Sequence, residues 1–173
     1  MVALCVCLIA SCKEKEIYPS VPSIEFKGYY FLKGGDGKDS LVTLIFSFKD
    51  GDGDIGLGEN DTLPPFNRQI DTLGKNLNRY YYNLYIDYLE KREGKFEYVL
   101  NPAPLNDSLR FAFRVQNLTP DGRHKAIRGD LLVNVPSSPW PGAGDTTRYK
   151  LVLIDRAKHE SNQIESPPII WSR

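Results

Sequence analysis

Val42, Leu44, Phe46 and Phe48 form one apolar face against Thr43, Ser47 and Lys49. A period of two turns successive side chains to opposite sides of an extended strand, and no helical stripe can be drawn from it. The same alternation recurs along the chain. Ile24, Phe26, Gly28, Tyr30 and Leu32 alternate with Glu25, Lys27, Tyr29 and Phe31. Tyr80, Tyr82, Leu84, Ile86 and Tyr88 oppose Tyr81, Asn83, Tyr85 and Asp87. Further faces are Leu109, Phe111, Phe113 and Val115, then Leu131, Val133 and Val135. Residues 149–154 are apolar on both faces, which predicts a central strand. Residues 169–171 predict a last strand, with Pro167-Pro168 holding its start at an edge. Turn chemistry separates these runs at Gly34-Gly35-Asp36-Gly37, Arg92-Glu93-Gly94-Lys95 and Thr119-Pro120-Asp121-Gly122. About eight strands with no helix periodicity predict an all-β chain, a single antiparallel two-sheet β-sandwich.

The connection at 56–79 is polar, carries Pro64-Pro65 and shows no strand signal, as functional or mobile connections do. Lys+Arg and Asp+Glu both number 22 in 173 residues, so the net charge is zero. A nucleic-acid binder needs a basic face to displace phosphate counterions, and that class is set aside. The cysteines are Cys5, Cys7 and Cys12, all before the first predicted strand. This excludes a disulfide framework, a cysteine zinc site or a cysteine nucleophile in the folded body.

Residues 2–11 are apolar apart from Ser11, too short a run to cross a membrane as a helix but suited to a signal-peptide core. Leu8-Ile9-Ala10-Ser11-Cys12 resembles a bacterial lipobox. That resemblance implies cleavage before Cys12 and its acylation, and two or three acyl chains anchor a protein stably where one does not. No Lys or Arg precedes Cys12, so the expected translation start lies upstream of Met1. The predicted organisation is a signal peptide over 1–11, a lipidated tether over 12–22 and a β-sandwich over 23–173. Lys13-Glu14-Lys15-Glu16 loosely resembles the acidic export tags of Bacteroidota lipoproteins. The expected place is the outer membrane, on its periplasmic or exposed side.

The most chemical stretch is Asp50-Gly51-Asp52-Gly53-Asp54-Ile55-Gly56. Calcium takes six to eight oxygens from a flexible loop. Asp50, Asp52 and Asp54 can converge if the glycines let the backbone curl, and Glu59 and Asp61 could complete the shell. An EF-hand is not expected, because Ile55 stands where the turning Gly should be and no helices flank the loop. The other reading is a glycine-rich turn whose Asp side chains cap backbone amides. Without a cation, three crowded carboxylates would repel one another.

Asp155-Arg156-Ala157-Lys158-His159-Glu160-Ser161-Asn162 resembles a turn of bacterial immunoglobulin-like and cadherin-like domains, with Lys158 and His159 in place of the usual Gly-Asn. In that fold the loop after the second strand and the loop before the last lie at one end, so Asp155 is expected beside the Asp50–Asp54 loop. With the run Phe46–Leu57, these residues resemble a family of uncharacterised Bacteroidota lipoproteins. The resemblance implies an immunoglobulin-like sandwich and an anchor, and no activity.

Five tripeptides of Asp, Ser or Thr, and a small or aliphatic residue begin at Asp39, Asp61, Asp71, Asp107 and Asp145. They resemble the O-glycosylation acceptor of Bacteroidota, which implies Thr62 and Thr72 first, then Ser40, Ser108 and Thr146. The alternative is that Asp ends a turn and the hydroxyl begins a strand, which accounts for 39, 107 and 145 but not for 61 and 71. Tyr81 and Tyr85, with Asn83 and Asp87, would line one face. That face either stacks on sugars or packs under the 56–79 connection.

His124 and His159 are the only histidines, with no nucleophile motif beside them. Arg128-Gly129-Asp130 spells an adhesion tripeptide but leads into a predicted strand. The expected function is a non-enzymatic, lipid-anchored module with a calcium loop, engaging a protein or a glycan. The alternative is a hydrolytic enzyme using a carboxylate pair. Oligomeric state is not legible.

Overall fold

The computed structural model describes residues 17–102, 104–119, 125–137 and 145–172. Cys12, the lipobox, the charged run after it, His124 and most of the 119–122 turn lie outside them. The described residues form nine strands and no helix: β1 Ser23–Lys33, β2 Asp39–Asp50, β3 Leu84–Arg92, β4 Lys95–Tyr98, β5 Arg110–Phe113, β6 Ile127–Pro136, β7 Thr146–Leu153, β8 Ile164–Glu165 and β9 Ile169–Ile170. One sheet has the order β1-β2-β6. The other runs β4-β3-β7-β8, with β5 also on β3 and β9 also on β7. All pairings are antiparallel. The first, second and sixth strands face the third and seventh, a two-sheet β-sandwich.

The inward alternation of β2 makes the centre of the core. Val42, Leu44 and Phe46 are wholly buried and meet Leu84, Ile86, Tyr149, Leu151 and Leu153 from the facing sheet. The hairpin between β3 and β4 has Glu93 and Gly94 at φ 49° and 86°, the left-handed pair that a two-residue turn between twisted strands requires.

β1 departs from strict alternation. Its register with β2 shifts between Phe26 and Gly28. The bulge exchanges the faces, so Phe31 turns inward onto Trp171, with ring centroids 5.0 Å apart, while Tyr30 and Leu32 face out. The predicted strand from Tyr80 starts only at Leu84. A turn closed by Tyr81 N–H to Asn78 O, at 3.2 Å, occupies the residues before it.

Two distant segments clasp the ends of β2. Gly51 N–H donates to Pro19 O at 2.8 Å, so the predicted tether is already held to the body at residue 19. At the other end Asp39 N–H donates to Ser172 O at 3.0 Å, and Ser172 N–H returns to Asp39 Oδ2 at 2.7 Å. Trp171 is 1% exposed, and its indole N–H donates to Thr147 Oγ1 at 3.0 Å. Trp171→Ala should lower unfolding stability by about 3–5 kcal/mol in urea titration, because it leaves a cavity between the sheets and takes one donor from the Thr147 hydroxyl. A loss under about 1 kcal/mol would mean that the ring does not fill the core as described.

Candidate functional site

The Asp/Gly stretch leaves the end of β2 between three other backbone segments. A Cβ on Gly53, at φ +72°, would stand 2.1 Å from Lys125 O, and one on Gly56, at φ +105°, would stand 2.2 Å from Gln116 O. Both positions need the left-handed conformation and the missing side chain together. Further along, Ile55 forms a bridge with Asp155, and Arg156 N–H donates to Asp54 O at 3.2 Å. The loop is thereby joined to the corner after β7, where Asp155 was expected.

Asp50, Asp54 and Asp155 each present one carboxylate oxygen such that all three lie within 4.8 Å of one another. Asp50 Oδ2 accepts Asp54 N–H at 2.9 Å, and Asp54 Oδ2 accepts Ala157 N–H at 2.9 Å. Asp155 Oδ1 accepts His159 N–H at 2.7 Å, while its Oδ2 stands 2.9 Å from His159 Nδ1. The Oδ1 atoms of Asp50, Asp52 and Asp54 are buried with no hydrogen-bond partner. Asp50 itself is 0% exposed and Asp155 2%.

A buried polar atom without a partner carries its full desolvation penalty, and a charged one carries more. Burial first, then the neighbouring carboxylates, push Asp50 up to about 7, against the Asp54 N–H. Burial, Asp155 and Asp52 also raise Asp54. Burial raises Asp155, with the His159 contacts opposing it. The donor set fits a hard cation. Oxygens that share one calcium at 2.3–2.6 Å can stand at most about 5 Å apart, and three anionic oxygens meet that limit.

Two predicted ligands stand elsewhere. Glu59 is exposed. Asp61 accepts a two-pronged contact from the Arg156 guanidinium and Gly58 N–H at 2.6 Å, and the Arg156 bond first of all lowers its carboxyl below the ordinary range. Neither belongs to the converging group, nor does Asp52, whose orphaned Oδ1 is nonetheless buried beside it.

Three organisers of the site were missed. Arg156 ties Asp61 to the corner. Arg114 holds the turn at Gly58 and Asp61 through their carbonyls at 3.3 and 3.1 Å. His159 braces Asp155 from four residues away. The i,i+4 spacing of Asp155 and His159 was a visible signal, but the two arginines carried none.

The tyrosine face is corrected. Asn83 is 2% exposed and exchanges hydrogen bonds with the Val115 backbone at 2.6 and 3.0 Å. Asp87 is 6% exposed and ion-paired with Arg110. Neither is free to meet a ligand, because Val115 and Arg110 already engage their polar groups. Arg114 lies 4.8 Å from the Tyr81 ring centroid, while Arg79 and Arg110 lie 4.8 and 5.5 Å from that of Tyr85.

Of the hydroxyls, Thr62, Thr72 and Ser40 are exposed, whereas Ser108 and Thr146 are half-buried. The turn account now reaches the two aspartates it had not covered. Asp61 caps Gly58, and Asp71 Oδ1 accepts Leu73 and Lys75 N–H at 3.0 and 2.8 Å. Arg128-Gly129-Asp130 lies inside β6, paired with residues 47–49.

Comparison with known protein families, curated proteins and solved structures found no match.

A carboxylate raised in the folded state contributes stability that is full below its unfolded value and lost as pH rises through its folded one. For Asp50 that window runs from 3.8 to about 7. Asp61 and Asp107, lowered chiefly by Arg156 and Lys75, lose stability only on acidification below the carboxylate range. In chelator, the melting midpoint should therefore fall between pH 5 and pH 8, and Asp50→Asn should flatten the fall. A wild-type midpoint that holds or rises over that range would contradict the unpaired burial of Asp50.

Proposed function

We propose that the chain is a non-enzymatic, lipid-anchored module of the cell envelope that holds a divalent cation, calcium first, at Asp50, Asp54 and Asp155. The family of Bacteroidota lipoproteins that the sequence resembles, the outer-membrane location and acceptor glycans at Thr62 and Thr72 belong to the same reading. A single observation carries it: three carboxylates of the loop keep buried Oδ1 atoms with no donor. Protein groups already meet the other oxygens of Asp50, Asp54 and Asp155, and a positive charge is what these Oδ1 atoms lack. Asp52 Oδ1 offers a further oxygen to such an ion. The ion's work is structural. It would neutralise the repulsion that otherwise opposes packing the loop against the Asp155 corner.

No observation favours the carboxylate-pair hydrolase. The one acidic residue that lines the large cleft described below is Asp107, and Lys75 and Asn101 already engage it. Glycoside hydrolysis needs two carboxyl groups flanking the bond.

Calcium at about a hundred times its dissociation constant should stabilise by about 2.7 kcal/mol, or some 5–10 °C in midpoint for a chain this long. Asp50→Asn should act with opposite signs. It should raise the midpoint in chelator, by removing a buried charge, and abolish most of the rise with calcium. Equal midpoints in calcium and chelator for the wild-type chain would sink the cation.

The anchor is tested separately, by intact mass of the protein from its native membrane. The expected mass is that of a chain beginning at Cys12 plus two or three acyl groups, with any glycans as further increments. Residues 1–11 retained without lipid would remove the anchor from the reading.

A further inference from the structure

On the outer side of β3 and β5, a cleft of about 590 Å3 opens beneath the 68–79 segment. Its size falls among small-ligand sites, which span roughly 300–1,000 Å3. Three pieces of chain make its walls, one of them the 101–108 connection that carries Asp107. Another is the turn at Leu73-Gly74-Lys75, held by Asp71 N–H to Lys75 O at 3.0 Å and Leu77 N–H to Gln69 O at 2.8 Å. The last is the pair of strands that carry Tyr85 and Arg110. Four cationic side chains, Arg68, Lys75, Arg79 and Arg110, line it against the single carboxylate of Asp107.

The cations differ in what they have left to give. Lys75 is paired with Asp107, Arg79 with Glu160 at 2.7 Å and Arg110 with Asp87. Arg68 is exposed and has no ion-pair partner among the described residues. The paired arginines are fixed in place, since both also lie against the Tyr85 ring, whose hydroxyl donates to Arg79 O at 2.6 Å. Tyr82 stands edge-on to Tyr85, with centroids 6.4 Å apart, and extends the aromatic wall. Asn76 holds the turn that roofs the cleft, its Oδ1 accepting the backbone N–H of Gln69 at 3.3 Å and of Asn78 at 2.9 Å. The site is thus rich in donors, short of acceptors and faced with rings.

We propose that this cleft binds an acidic saccharide, an oligosaccharide bearing carboxylate or sulfate groups. Arg68 supplies the unspent charge, and the planar guanidiniums supply directional donors for anionic and hydroxyl oxygens. Tyr82 and Tyr85 offer ring edges and faces to the sugar's apolar C–H surfaces. An extended peptide is a poorer match. A peptide added as a strand would need a free side of β3, and here β4 and β5 already pair with one side and β7 with the other; an acidic peptide held by the arginines alone would make no use of the tyrosine rings. The proposal goes beyond the cation reading and names a ligand class for the protein- or glycan-engaging module that the sequence led us to expect.

The test uses the full chain with tetragalacturonate and a heparin-derived tetrasaccharide as probes, in calcium, by isothermal titration and by hydrogen exchange. Fully methyl-esterified tetragalacturonate serves as a neutral control of the same shape. At least one acidic probe should bind and protect amides in 68–79 and 105–112. Arg68→Glu should weaken it by about tenfold or more. Because Arg68 is exposed and unpaired, the melting midpoint of the variant should match that of the wild type, which separates lost binding from lost folding.

Equal binding of the esterified control, binding untouched by Arg68→Glu, or no binding of either acidic probe would overturn the proposal. So would a tetraglutamate peptide that binds as tightly, since charge alone would then suffice. A chain that calcium stabilises but that binds none of these saccharides keeps its cation and loses this site. One that binds them with no calcium effect does the reverse.

Discussion

Repulsion among buried carboxylates is the constraint that the end of the sandwich is built around. Asp50 closes β2, Asp54 lies four residues on, and Asp155 arrives from the far end of β7. Each surrenders one oxygen to a backbone N–H, and those bonds fix the loop against the corner. The second oxygen of Asp155 meets the His159 ring, while those of Asp50 and Asp54 are left buried, where water cannot screen them. The glycines serve this convergence. Their missing side chains let the backbones of residues 18–19, 116–117 and 125 crowd the loop. Crowding raises the cost of each unpaired oxygen, so the tighter the corner packs, the more a compensating charge is worth to it.

The fold was legible because it rests on patterns that are local. Alternation in 41–49, the Glu93-Gly94 turn and the doubly apolar run at 149–154 each specify a strand or turn without knowledge of the partner. Misses arose where tertiary contacts override that pattern. The bulge at Gly28 reverses the faces of β1, and only the approach of Phe31 to Trp171 reveals why. Tyr80 to Asn83 alternate as a strand would, yet turn bonds at Asn78 and the Asn83–Val115 exchange hold them out of the sheet.

The candidate site was half legible. Spacing placed Asp50, Asp52 and Asp54 in one loop, and a resembling turn brought Asp155 to it. Nothing in the order of residues could show that Asp61 would be claimed by Arg156, because the two are 95 positions apart. The same limit hid the cleft. Arg68, Arg79 and Arg110 are scattered polar residues in sequence and become one basic wall only when the 68–79 segment folds over β3 and β5.

The clasp between Asp39 and Ser172 has a kinetic meaning. It joins residues 133 apart and sits beside Trp171, which plugs the core from the last described turn of chain. A chain that emerges from its N-terminal end first forms β1 and β2 with their apolar face open. That face stays uncovered until the β7 and Trp171 region has also emerged. Contacts of such long separation make folding slow, and they make it late. The domain therefore has to be kept from pairing its first two strands with a neighbour for nearly the whole time it is being delivered.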